Sequence, residues 1–174
     1  GYTTSINTLG EIAFLAGAGG DSGIFLVDPA GTVSTAVLGS DTRPTLGGAY
    51  GTISPAGTRW LDDAGGVYFN DIDGIFRTTA SGDALLVQLG DTAPDTGGET
   101  FDRFFTPQAS FDGHYVFGAG VTNITAMNSA AVFADRGAGL AKIMLPGDLD
   151  PGGATMGSAY VQVGWAINDG GDVV

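Results

Sequence analysis

The chain has no cysteine and one histidine, His114, among its 174 residues. Neither a disulfide framework nor a thiol nucleophile can therefore form, and a multi-histidine zinc site cannot be built within one chain. Basic residues are scarce as well: 6 Lys and Arg stand against 19 Asp and Glu, giving a net charge of −13 and a pI near 4.1. Arg43, Arg59, Arg77, Arg103, Arg136 and Lys142 are scattered singly. No basic face is available for a phosphate backbone or an anionic membrane surface, so nucleic acid is not an expected partner. The apolar runs, such as 12–16 and 84–87, are far shorter than the ~20 residues of a membrane-spanning helix. No membrane insertion is expected within this chain. It opens on Gly1 without a basic segment followed by an apolar one, so any export signal is expected to lie outside these residues.

Glycine is abundant, at 31 residues, in a sequence still 43% hydrophobic. That hydrophobic share is too high for a disordered chain, and the length suits about one domain able to bury roughly two thirds of its unfolded surface. The glycines follow no Gly-X-Y period, which excludes collagen and favours a fold with many tight turns. No stretch combines a 3.6-residue apolar period with an N-cap, so few or no helices are expected and the fold class is all-β.

One pattern, N-x-x-G-x-apolar-apolar-aromatic, returns along the chain. It runs from Asn7 through Gly10 to Phe14, from Asp62 through Gly65 to Phe69, and from Ser110 through Gly113 to Phe117; a fourth copy begins at Asn168 and Gly171. The pattern glycines are 55, 48 and 58 residues apart. Two landmarks follow the first three copies in the same order. The first is a small-apolar-Phe triplet ending in Phe25, Phe76 and Phe133. The second is an apolar run closed by a Gly/Asp turn and then a Gly-Gly pair, at Gly47-Gly48, Gly97-Gly98 and Gly152-Gly153. Each unit reads as three strands and a weaker fourth, placed at 49–53, 100–106 and 159–164. Such a period of about 50 residues predicts a β-propeller-like array of about three four-stranded units, 1–54, 55–108 and 109–164, with 165–174 opening a further one. Because a propeller needs about 4 to 8 blades, the chain is expected either to belong to a longer polypeptide or to combine with other copies, donating its terminal strand head to tail.

These residues resemble the bacterial tandem-repeat family named for its N-x-x-G-x-x-A-F motif. Asn7 to Phe14 satisfies that motif at every position; the second copy has Asp62 and Tyr68 in place of Asn and Ala, and the third has Ser110 and Val116. The resemblance implies export, an extracellular or cell-surface location and propeller-like repeats, and it brings no catalytic residues.

The chemistry-bearing residues are less distinctive. A Ser-His-Asp triad would have to be built around His114, and Ser110 and Asp112 are too close to it in sequence for triad geometry. Carboxylate pairs such as Asp62 with Asp63 and Asp91 with Asp95 fit turn chemistry as well as acid and base pairs across a cleft. Asp71 with Asp73, and Asp148 with Asp150, match part of a calcium loop, and calcium is the one cofactor the sequence brings into question. Trp60, Trp165, Tyr50 and Tyr160 lie near unit junctions, where they would either stack on sugars or pack between blades. The expectation is a non-enzymatic, exported structural or interaction module whose partners are other copies of itself or surface proteins. A carbohydrate-binding or carbohydrate-active propeller and a self-assembling ring or filament subunit stand as the alternatives.

Overall fold

A computed structural model of the chain describes residues 4–18, 20–53, 60–125, 129–149, 152–156, 159–160 and 166–173. Among them there is no helix, and hence none long and apolar enough to cross a membrane. The strands are β1 (Thr4–Ile6), β2 (Ile12–Ala18), β3 (Asp21–Val27), β4 (Val33–Leu38), β5 (Val67–Asn70), β6 (Gly74–Thr79), β7 (Gly82–Gln88), β8 (Phe101–Phe104), β9 (Gln108–Ala109), β10 (Tyr115–Val121), β11 (Ser129–Asp135), β12 (Leu140–Met144) and β13 (Ala159–Tyr160). They form three antiparallel sheets. Sheet 1 is β1-β2-β3-β4 and sheet 2 is β5-β6-β7. Sheet 3 runs β12-β11-β10-β8, with β9 on β10 and β13 on β11.

The fourth elements depart from expectation. Residues 100–106 yield β8, which pairs across the unit boundary with β10 in sheet 3, setting Phe104 against Ala119 and Phe101 against Val121. The reason is that β10 is buried along all seven residues, so both of its hydrogen-bonding edges need a partner; β11 takes one, and β8 with β9 takes the other. Residues 49–53 form no strand and contribute one bridge, Thr42 to Ala49. In the third unit β13 pairs with β11 of its own sheet, and 161–164 lie outside the described residues.

Side chains alternate between the two faces of each strand, and here both faces of the middle sheets find cover. Sheet 1 contributes Ala13, Ile24 and Val37 to a core shared with Leu61, Val67, Phe69 and Phe76 of the second unit. The other face of sheet 2, with Tyr68, Ile75 and Val87, shares a second core with Ala109, Tyr115, Phe117 and Phe133 of sheet 3. The far face of sheet 3, with Val116, Val132 and Ala134, meets Ile167 and Val173 in a third. Each core therefore lies between consecutive units, stacked face to face in chain order. We call the face toward the preceding unit leading and the opposite one trailing.

The same devices recur in every sheet. A leading-face Phe pair stacks across the two central strands, with centroids 5.7 Å apart for Phe14 and Phe25, 5.6 Å for Phe69 and Phe76, and 5.9 Å for Phe117 and Phe133. A register shift falls immediately before the second Phe in all three, at Ile24/Phe25, Ile75/Phe76 and Val132/Phe133. Such bulges increase local twist and are features of design rather than defects. Each buried Phe contributes about 2–3 kcal/mol, so the repeated pair accounts for much of the cohesion between units.

Candidate interaction surface

The N-x-x-G motif builds one turn four times. Its first residue donates its backbone N–H to the carbonyl four residues on, over 3.1 Å at Asn7, 3.0 Å at Asp62, 2.8 Å at Ser110 and 3.0 Å at Asn168. The motif glycine donates back to the first residue's carbonyl, and its φ is +82° at Gly10, +73° at Gly65, +85° at Gly113 and +80° at Gly171. A Cβ is strained in that left-handed region, which is why glycine holds this position. The first side chain caps the turn. Asn7 Oδ1 accepts from Glu11 N–H at 2.9 Å, Asp62 Oδ1 from Gly66 at 2.6 Å, Ser110 Oγ from His114 at 3.1 Å and Asn168 Oδ1 from Asp172 at 2.8 Å. Flanking residues close the hairpin through Ile6–Ile12, Leu61–Val67, Ala109–Tyr115 and Ile167–Val173.

Successive turns are bonded to one another. Thr8 donates its N–H to Asp63 Oδ1 at 2.9 Å and its hydroxyl to the other oxygen of that carboxylate. Asp63 in turn donates its N–H to the Phe111 carbonyl at 2.9 Å, and Phe111 donates its own to Asp169 Oδ1 at 2.9 Å. In every case the second residue of one turn reaches the second residue of the next. The sequence pattern marks these positions only by their distance from the motif glycine, since Thr, Asp and Phe share no side-chain chemistry.

Further clasps tie neighbouring units. Tyr50 Oη donates to Asp83 at 2.8 Å, and Tyr68 Oη donates to the Gly113 carbonyl at 2.8 Å. Burial pushes the phenols of Tyr50, Tyr68 and Tyr115 well above the ordinary range, and the carboxylates facing them, Asp83, Asp62 and Asp135, push in the same direction. Within the second unit, Arg77 closes on Asp62 through Nε at 3.0 Å and a terminal nitrogen at 2.7 Å. Gly66 leaves room at this crossing, since a Cβ there would meet the guanidinium in its present position.

The acidic residues singled out as calcium candidates have other occupations here. Asp71 and Asp73 do come together, but around Arg43, which reaches Asp71 at 3.2 Å and also bonds Asp73. The remaining Asp71 oxygen accepts from the backbone of Asp73 and Gly74. Asp148 caps its turn from Leu145 N–H at 2.8 Å and faces Lys142 at 3.3 Å. Asp41 and Asp91 cap the equivalent turns in the first two units, so this role is common to the repeat. Asp150 lies outside the described residues, among which no cluster of three metal-ligating side chains occurs. Arg43 carries no short-range sequence signal, since its carboxylates are 28 and 30 residues away.

Of the aromatic candidates, Trp60 and Tyr50 are buried in the core between the first two units and offer no stacking surface. Trp165 and the Tyr160 side chain lie outside the described residues. His114 sits in the third turn with Nδ1 buried and unpartnered. Ser110 Oγ meets the backbone of His114, which is not the contact a nucleophile requires.

Two surface features remain. A cleft of about 450 Å³ opens between the first two units, lined by Glu11, Asp28, Ser34, Thr35, Thr78 and Thr79 over the apolar Leu26 and Ala36. The backbone N–H of Thr32, 2.8 Å away, holds the Asp28 carboxyl below its usual range. The second feature is the leading face of sheet 1. Ile6 is 58% exposed, Ile12 38% and Val33 57%, and the Phe14–Phe25 pair is half-buried, whereas the counterparts Leu61, Val67, Phe69 and Phe76 are sealed. Ile6 and Ile12 occupy apolar positions that flank every copy of the turn, which is the sequence signal that marks this face.

Among curated proteins none matches this chain. A family model does match, over residues 1–174, and the chain belongs to that family, a family of unknown function, DUF7453.

Proposed function

We propose that the chain is a propeller-like segment serving as a non-enzymatic structural or interaction module outside the cell. The observation that carries this reading is the way the polar groups are used. Asn7, Asp62, Ser110 and Asn168 cap turns, Thr8, Asp63, Phe111 and Asp169 join one turn to the next, and Asp71 and Asp73 hold Arg43. The conspicuous side chains are thus engaged in capping turns and joining units instead of converging on a reacting centre. Face-to-face stacking in chain order, with the turns side by side, supports a radial array over a flat one. The likeness of Asn7 to Phe14 to the N-x-x-G-x-x-A-F repeats supports export and a surface location. The reading needs no cofactor.

Labelling intact producing cells with a membrane-impermeant reagent tests it. The protein is expected among the labelled surface proteins or in the medium. Recovery only from the interior of lysed cells would refute the reading. The cleft beside Glu11 and Asp28 favours a saccharide-binding role as second reading, because hydroxyls and carboxylates over an apolar floor suit a polyol. A glycan array on which Asp28→Ala abolishes binding would support that role, and an array without hits would end it.

A further inference from the structure

The trailing rims of the three sheets use matched positions with different occupants. On sheet 2 these are Gly66, Tyr68, Arg77 and Thr79. Arg77 crosses Gly66 with its guanidinium carbon 5.5 Å from the centre of the Tyr68 ring, and Tyr68 Oη reaches the carbonyl of Gly113 in the next turn. On sheet 3 Arg136 lies against the following turn, where a Cβ added at Gly171 would come within 3.2 Å of its side chain. Both later units thus lay an arginine of their own over this rim. Sheet 1 has Glu11, Ala13, Leu26 and Asp28 at the positions of Gly66, Tyr68, Arg77 and Thr79, and there the cleft of about 450 Å³ opens beside Gly65 of the next turn. Glu11 and Asp28 each stand one residue beyond the Ile12–Val27 pair, on neighbouring strands. Asn7 Nδ2 donates to Glu11 at 2.6 Å and the Thr32 N–H to Asp28 at 2.8 Å, so both carboxylates are held in place.

We propose that this cleft receives an arginine side chain presented by a protein partner, in place of the arginine that the first unit does not carry on its rim. The lining holds two carboxylates and no Lys, Arg or His, so it is complementary to a cation. Its floor of Leu26 and Ala36 suits the methylene stem of an arginine, and the hydroxyls of Thr35 and Thr79 add acceptors for a planar group with five N–H donors. A lysine ammonium would bring a point charge without that fork. A neutral sugar finds less here, because no aromatic side chain lines the cleft for it to stack on. Such docking deepens the interaction-module reading, on which it rests, by giving the chemistry of the partner.

Amide shifts of the isotope-labelled chain, titrated with the terminally blocked tripeptide Gly-Arg-Gly and with its Lys and Gln counterparts, test the proposal. The arginine peptide is expected to shift the Thr35, Gly65 and Thr79 amides saturably with a Kd of about 1 mM or below, the lysine peptide to bind more weakly and the glutamine peptide not at all. Asp28→Asn keeps the oxygen that caps Thr32, and Glu11→Gln keeps an acceptor for Asn7, so each should weaken binding about tenfold with the thermal melt unchanged. No shift of these amides up to about 10 mM peptide would overturn the proposal. Equal binding by the lysine or glutamine peptide would do the same, as would affinity unchanged in both neutral variants. Free arginine binding more tightly than the blocked peptide would replace the protein partner with a small molecule, and a glycan that shifts these amides where the arginine peptide does not would decide for the saccharide. Cell-surface labelling keeps the two readings apart: a surface protein that ignores arginine refutes this inference alone, and an arginine-binding protein confined to the cell interior refutes the module reading.

Discussion

Sheets 1 and 2 carry the same leading-face pattern, yet Phe69 and Phe76 are fully buried while Phe14 and Phe25 stay half in water. Strand pairing, the bulge before the second Phe and the stacking of the rings are alike in both. What differs is the neighbour. Sheet 2 has the trailing face of sheet 1 over it, and sheet 1 has no counterpart among the described residues. A repeat pattern thus specifies which side chains form a core face, and only the next layer decides whether that face becomes core.

Substitutions at matched positions should separate the two sheets most clearly. Phe76→Ala empties a sealed site and is expected to cost about 3–5 kcal/mol in denaturant unfolding; Phe25→Ala, half-exposed already, should cost about 1 kcal/mol. Equal losses would remove the distinction between the covered and open faces. The turns permit a similar comparison. Asp62→Ala strips the cap from Gly66 and leaves the Arg77 guanidinium without its carboxylate, which should cost about 3 kcal/mol. Asn168→Ala removes an exposed cap from the last copy and should cost about 1 kcal/mol.

Alkali should act on the covered interfaces in particular. Tyr50, Tyr68 and Tyr115 have folded pKa values raised above those of the unfolded chain. Their contribution is complete below the unfolded tyrosine pKa of ~10 and is lost as pH rises from there, because the unfolded phenols release protons that the folded ones retain. Stability should fall by about 1.4 kcal/mol per pH unit for each tyrosine above that point. Unfolding curves recorded alongside the tyrosinate absorbance would show it, and a flat dependence would contradict the burial of these rings. The smallest effect belongs to Ile12→Lys on the open face, expected within about 0.5 kcal/mol of the parent in stability.

Much of this arrangement is legible in the residues themselves. Gly10, Gly65, Gly113 and Gly171 mark the turns because a left-handed φ has a local sequence requirement, and the Phe pairs mark one face because the β period is two. The pairing of β8 with β10 is not legible, since either strand edge satisfies the same local pattern and the choice depends on which edge is otherwise unpaired. Nor is the binding of Arg43 to Asp71 and Asp73, which depends on where the loop of one unit lands on the next. Trp60 and Tyr50 read as interface core ahead of stacking platforms, and the neighbouring sheet settles them as core. The carboxylates at 62, 71 and 148 show the same limit: turn chemistry puts them where they are, and only the fold tells which cation, Arg77, Arg43 or Lys142, arrives beside them.

The central claim is that consecutive units are zipped turn to turn, and amide hydrogen exchange on the dilute protein tests it most directly. Asp63 and Phe111 donate to the following turn, whereas Asp169, at the same position in the last copy, does not do so among the described residues. The account predicts that the Asp63 and Phe111 amides exchange as slowly as those of the adjoining strands while the Asp169 amide exchanges at the rate of an open turn. Fast exchange at Asp63 and Phe111, or one common rate at all three positions, would contradict it.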